Sequence, residues 1–362
     1  MAETRTVFSD PLLISNELYR LVQDQLSEAP RTNTLDDLRT TTETLSTLTT
    51  ACESVLADIN ARGQETNLHT AVAEIKNVLT WTKFLNAVET APSLPDFLFR
   101  AHKHVGANQP TFVPDLGMPF DLEFRRILSF EEFVTDLAEH LGKTQKEKDL
   151  GEKIETYFVS VSPILEWTIH TAGRKWCDRR EDEVVGLVIF DVKKLRQNSG
   201  TTIFRVSDVL KFLEGEGKDS LIEQDLQEWA RNCDEYVSVG RIPDDGLVRW
   251  IVWTELYQSL PNPLPFKKCF ARAYTLGKYR EWMQQIPEEH IELEDICQRI
   301  VQFGKVLTGQ QDDLLFPLIE LVLKPGMQFW GLTTESSEDV AANIRELIDE
   351  TALQKIDGLT LN

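Results

Sequence analysis

The sequence predicts a mixed α+β protein in which helical ends flank a strand-rich middle. Three observations carry this: helical spacing of apolar residues through 1–90, the same spacing beyond residue 261, and short β-branched and aromatic runs between Pro and Gly in the middle. The 362 residues, at ~100–200 per domain, predict two or three units. We place them as an N-terminal helical region, 1–90, a central domain, 91–260, and a C-terminal helical region, 261–362.

A first helix is expected over Leu12 to Gln25, after the start signal Ser9-Asp10-Pro11. A second runs from Leu35 to Ile59, opened by a capping box of Thr34 and Asp37 and stopped near Gly63. A third covers Thr70 to Glu89 and ends before Pro92. In the middle, Phe97–His102 reads as a strand, Phe130–Leu141 as a helix and Tyr157–Ser162 as a strand. Pro163–Trp176 reads as a helix with Ser162 at the N-cap and Pro163 at the first helical position. Val184–Val192 is the most apolar segment and is expected to be a buried strand. Ser207 caps a helix over Asp208–Leu213, and Leu221–Trp229 forms another. Strands Glu235–Val239 and Leu247–Trp253 follow, separated by the turn cluster Gly240-Arg241-Ile242-Pro243-Asp244-Asp245-Gly246. Helical spacing returns over Cys269–Gln284, Leu293–Leu307, Asp312–Leu323 and Glu338–Ile348.

Composition narrows the function classes. A formal net charge of −21 repels phosphate backbones and anionic lipid, so general nucleic-acid binding is not expected unless a local basic patch overrides it. The first residues lack a signal-peptide apolar stretch, and the longest apolar run, Val184 to Phe190, is interrupted by Gly186 and too short to span a bilayer. A cytoplasmic location, or a nuclear one, is expected, with no membrane partner. Cys52, Cys177, Cys233, Cys269 and Cys297 are scattered without ligand spacing, which predicts reduced thiols and no metal site. No Gly-rich phosphate loop, GxSxG or HExxH motif is present.

Three segments carry the chemical argument: Leu98-Phe99-Arg100, Phe158-Val159-Ser160-Val161-Ser162, and Cys233-Asp234-Glu235-Tyr236-Val237 leading into Gly240-Arg241-Ile242-Pro243. Taken in order, they resemble the motifs of mono-ADP-ribosyltransferases of the cholera-toxin and pierisin type, and of a fungal family built around such a domain. In that superfamily a first strand ends in Arg and a middle strand carries Ser-x-Ser. A late strand opens with Glu, preceded two positions earlier by Gln or Glu. The resemblance covers roughly residues 94–255 and implies a split β-sheet core, with NAD as substrate.

The roles implied are chemically coherent. Breaking the nicotinamide–ribose bond passes through an oxocarbenium-like state that the Glu235 carboxylate would stabilise. Ser160 would orient Glu235, Arg100 would hold the cofactor's pyrophosphate or ribose through its planar fork, and Ser162 completes the cofactor-binding set. Each residue alone has a plainer reading: a solvated strand end for Arg100, a helix cap for Ser162, a surface carboxylate for Glu235. Cys233 departs from the pattern, standing where relatives place the residue that contacts the acceptor, and is first read as a buried structural thiol. Three functions follow: an NAD-dependent ADP-ribosyltransferase or NAD glycohydrolase, with a protein acceptor or binding partner; a catalytically inactive binding or scaffold protein of the same fold; and, last, a helical interaction protein.

Overall fold

A computed structural model describes residues 68–89, 94–105, 129–150, 156–199, 203–239, 242, 244–262, 289–290, 292–309, 311–324, 330, 332–333 and 339–348. It also describes single positions at 46, 47, 49, 50, 52, 53, 57, 277, 278 and 281. The protein is mixed α+β. Contacts divide it into two units. One comprises Met1–Ser93, Pro114–Phe158 and Phe204–Ala230; the other comprises Leu94–Val113, Val159–Ile203 and Arg231–Asn362.

The first unit is built on helices α1 (Leu68–Glu89), α2 (Phe130–Leu150), α5 (Val206–Gly215) and α6 (Gln224–Asn232). Its core is aromatic. Trp81 and Phe84 of α1 meet Phe130 and Phe133 of α2 at ring distances of 4.9 to 5.8 Å, edge-on or tilted. Phe204 and Phe212 close the same cluster against Phe84. The start of α2 is fixed by a reciprocal capping box: Ser129 N donates to Glu132 Oε2 at 2.7 Å, and Glu132 N to Ser129 Oγ at 3.2 Å.

The second unit positions the candidate site. Strand β3 (Glu183–Asp191) lies between β1 (Phe97–Val105) and β6 (Leu247–Val252), antiparallel to both. Strands β2 (Phe158–Val161) and β5 (Tyr236–Val239) are neighbours in a second sheet, and β4 (Ile203–Arg205) leads into α5. A short parallel pair joins β7 (Glu289–His290) and β8 (Leu332–Thr333). Helices α3 (Leu165–Cys177), α4 (Val192–Ser199), α7 (Trp253–Ser259), α8 (Leu293–Thr308) and α9 (Leu315–Leu323) complete the named elements, and 339–348 is also helical.

β3 is buried on both faces because its side chains alternate between two cores. Val185, Leu187 and Ile189 join Leu165 and Ile169 of α3, Leu256 of α7, Ile300 of α8 and Leu318 of α9. Val188 and Phe190 join Leu98, Val159, Val161 and Tyr236, so the two larger sheets share one apolar core. At Gly186 a Cβ would strike the Ile251 carbonyl oxygen and lie 2.7 Å from the Trp250 ring. Glycine there lets the indole lie across the sheet.

Most expected elements are present; several boundaries are corrected. Ser162 is not an N-cap: α3 begins at Leu165, with Ile164 at its cap position and no side-chain cap bond. Ser162 instead pairs with Phe99 through backbone bonds of 2.7 and 2.9 Å, which hold it extended. Ser207 lies inside α5, which starts at Val206 directly from β4. Leu221–Trp229 resolves into a 3-10 turn, Asp219–Leu221, followed by α6. Asp312–Leu314 likewise forms a 3-10 turn ahead of α9. Trp253 belongs to α7 rather than to the preceding strand. The expected helices over 12–25 and Cys269–Gln284, the Thr34/Asp37 cap, and Gly240, Arg241 and Pro243 fall wholly or mostly outside the described residues. Of the second expected helix, positions 46, 47, 49, 50, 52, 53 and 57 are helical.

Gly186→Ala should lower unfolding free energy by about 1–3 kcal/mol, because backbone rather than a flexible side chain blocks the new methyl. Gly215→Ala, with nothing within 4 Å, should stay within about 0.5 kcal/mol of wild type. Urea denaturation of both variants checks the contrast.

Candidate functional site

The three sequence segments meet in the second unit. Arg100 stands in the middle of the nine-residue strand β1, not at its end. It faces the same side as Leu98, opposite Val188 in the register. Its Nη1 donates to the Ser160 carbonyl oxygen at 2.6 Å. Because Val159 and Val161 enter the shared core, Ser160 points to the other face of β2. Tyr236 of β5 also enters that core, so Glu235 falls on the same side as Ser160, and the two side chains are hydrogen-bonded.

Glu235 directly precedes β5 and is 3% exposed. The turn delivering it from α6 runs through Asp234, whose φ of 45° is left-handed, a region in which Asp is one of the tolerated non-glycine residues. Burial pushes the Glu235 carboxyl up to about 7, against the opposing pull of the Ser160 hydrogen bond and the Arg100 charge. Among the described residues, Glu235 Oε2 has no hydrogen-bond partner. A buried carboxyl with one oxygen unengaged is suited to receive a hydroxyl donor or a developing positive charge from a ligand.

Ser162 is the joint between the segments. Its Oγ donates to the Cys233 carbonyl at 2.7 Å and accepts from Ile164 N at 3.1 Å, while its backbone pairs with Phe99. Cys233 is buried, and burial followed by the Glu235 charge drives its thiol well above the ordinary range. Such a thiol stays protonated and is no nucleophile. Of the expected Gly-x-Ile-Pro corner, Ile242 is described and buried in the shared core.

The sequence offers His102 and His104 as candidate general bases, with a partly exposed histidine as the plainer reading, and leaves Lys175 unmarked. His102, His104 and Trp250 form an aromatic shelf on the Arg100 side of the sheet, with the imidazoles 5.9 and 5.5 Å from the indole. Burial, then Arg100, Lys175 and His104, drive His102 down to about 3, so it is neutral at physiological pH and cannot act as an acid there. Lys175 reaches from α3 to the Ala101 carbonyl at 2.8 Å. The alternation of His102 and His104 on one strand was a usable signal; nothing local marks Lys175, whose partner lies 74 residues away.

A pocket of about 590 Å³ is lined by Phe97, Pro163 and residues of α9, and its lining includes none of Arg100, Ser160, Ser162 and Glu235. Among the described residues, no group of three or more His, Cys, Asp or Glu could hold a metal ion, and no helix is long and apolar enough to cross a membrane.

Residues 93–256 match a family described as a domain of unknown function (DUF7587), a span holding Arg100, Ser160, Ser162, Lys175, Glu235 and Trp250. No curated protein and no solved structure matches the chain.

Two outcomes are expected of the site as folded. The unfolded chain ionises Glu235 near 4.5 and the folded protein near 7, so its burial costs nothing below about pH 4.5 and destabilises progressively up to about 7. Glu235→Gln should therefore match wild type at pH 4.5 and exceed it by on the order of 3 kcal/mol at pH 8; a pH-independent difference in urea denaturation would contradict the assignment. Ser162→Ala, which deprives the Cys233 carbonyl of its donor, should cost about 1–3 kcal/mol, measured the same way.

Proposed function

We propose that the protein is an NAD-consuming enzyme, a mono-ADP-ribosyltransferase or NAD glycohydrolase built on an ADP-ribosyltransferase-like split sheet. The observation that carries this reading is the convergence of Arg100, Ser160 and Glu235, which are separated by 60 and 75 residues in sequence, on one hydrogen-bonded cluster. Each does what the reaction requires of it. Glu235, once ionised, would stabilise the positive charge that grows on the ribose as nicotinamide departs. Ser160 fixes the carboxylate through its side chain, while its own carbonyl anchors Arg100. Arg100 offers a planar donor fork to an anionic or ribose oxygen of the dinucleotide.

NAD supplies the leaving group, a cationic nicotinamide ring, so substrate binding itself favours the charged form of Glu235. Loss of a proton from Glu235 near pH 7 sets the lower limb of the expected pH profile. The acceptor is where the transferase and hydrolase readings part. Cys233, at the position from which relatives contact the acceptor, is buried and protonated, which favours water as acceptor over a protein nucleophile. The free thiols at Cys52, Cys177, Cys233 and Cys297 suit a reducing compartment, and we place the protein in the cytoplasm or nucleus.

The same buried, partly neutral carboxyl favours a second reading, in which the domain keeps the fold as a binding scaffold without turnover. Release of nicotinamide from NAD by the purified protein separates the two. Wild type should release it, with kcat/KM rising with pH through about 7, and Glu235→Gln should lose roughly 100-fold or more. No release by either protein, with or without cell extract as acceptor, would leave the scaffold reading.

A further inference from the structure

The edge of β1 opens in an unusual way. Phe99 and Ser162 form an isolated antiparallel bridge, both backbone bonds made. In an antiparallel ladder the next such pair would join Ala101 to Ser160. That pair is replaced by cations on both sides. The Ser160 carbonyl takes Arg100 Nη1 at 2.6 Å, and the Ala101 carbonyl takes Lys175 Nζ at 2.8 Å. The strands therefore part into a wedge whose two carbonyls each orient a positive side chain, and the Ser160 side chain is hydrogen-bonded to Glu235.

We propose that Lys175, acting with Arg100, binds the two adjacent phosphates of a nucleoside diphosphate group in the wedge where β1 and β2 part. The inference rests on the reading of this site as one for a dinucleotide, and assigns the diphosphate to a residue outside the three motifs. An ammonium carries three N–H donors and the Ala101 carbonyl takes one, so Lys175 can also face phosphate oxygens. A fork and a point charge on opposite walls suit vicinal phosphates, which present oxygens in two directions.

The local electrostatics agree. After burial, the groups that act on Lys175 are Arg100 and Lys103, and together they bring its ammonium down to about 7. Arg100, Lys175 and His104 act on His102 in the same repulsive sense. Within a chain of net charge −21 this is a local concentration of positive charge, and a diphosphate between the cations would turn mutual repulsion into attraction. Lys175, half-buried on α3, is one turn of helix from Ala172, which is buried in the core between α3 and β3.

Calorimetric titration of the intact protein with ADP-ribose, inorganic pyrophosphate and adenosine tests the proposal. Wild type should bind ADP-ribose at least about tenfold more tightly than adenosine, and Lys175→Met and Lys175→Gln should each weaken ADP-ribose about tenfold or more. Lys175→Arg should stay within about threefold, and circular dichroism should show all variants folded. Pyrophosphate binding as tightly as ADP-ribose would support the proposal and name free diphosphate as the source. Adenosine equal to ADP-ribose, no binding of any ligand, or folded Lys175→Met and Lys175→Gln proteins that bind like wild type would overturn it. Lys175-dependent ADP-ribose binding without nicotinamide release would uphold this inference and remove the enzymatic reading. Nicotinamide release with an unchanged KM in Lys175→Met would do the reverse.

Discussion

The candidate site depends on one serine. Ser162 pairs its backbone with Phe99, receives the Ile164 amide and gives its hydroxyl to the Cys233 carbonyl. β1, the end of β2 and the approach to β5 are thereby fixed to one residue. Because the Ser162 hydroxyl is buried, this bonding is enforced by the cost of leaving polar groups unpaired as well as by the bonds themselves. Arg100, one residue beyond the Phe99 bridge, Ser160, two before it, and Glu235, two beyond Cys233, inherit their positions from that joint.

Around the joint, packing and polarity are divided by strand alternation. Residues turned inward on β2 and β5 are apolar or aromatic and fill the core shared with β1 and β3. On β2 the residue between Val159 and Val161, Ser160, carries the polar group, so a short strand serves both the core and the site. The same division explains the Arg100 face of β1, where Leu98 lies in the core and Arg100, His102 and His104 continue along the strand half-buried. Gly186 contributes by omission, allowing Trp250 to lie over β3 and meet both imidazoles.

What could be read in the sequence was what local patterns determine. The apolar run of β3 foretold a strand buried on both sides, and the helical spacing of Thr70–Glu89 and Leu293–Leu307 foretold α1 and α8 within two residues at their ends. The ordered motifs singled out Arg100, Ser160 and Glu235, which the fold brings together. Ser162 was legible as a polar residue ahead of a helix but not in its bonding, because a cap is local while its actual partners, Phe99 and Cys233, are 63 and 71 residues away. Lys175 and Trp250 were illegible for the same reason: register, and the space left by a glycine on another strand, give them their neighbours. Helix α4 was overlooked although Asp191 marks its start, accepting the Lys194 amide at 3.0 Å, because the strand ends on the very residue that caps the helix.

The contrast between Ser162 and Glu235 bears on how relatives of this chain would diverge. Ser162 is tied to the fold by its bonds, whereas the Glu235 charge opposes folding at neutral pH. In a lineage released from chemistry, neutral drift would encounter a barrier at the first position and a downhill slope at the second. A Ser-x-Ser segment by itself would then report shared architecture, and the acidic residue before β5 would be the one to inspect for whether the proposed chemistry is retained.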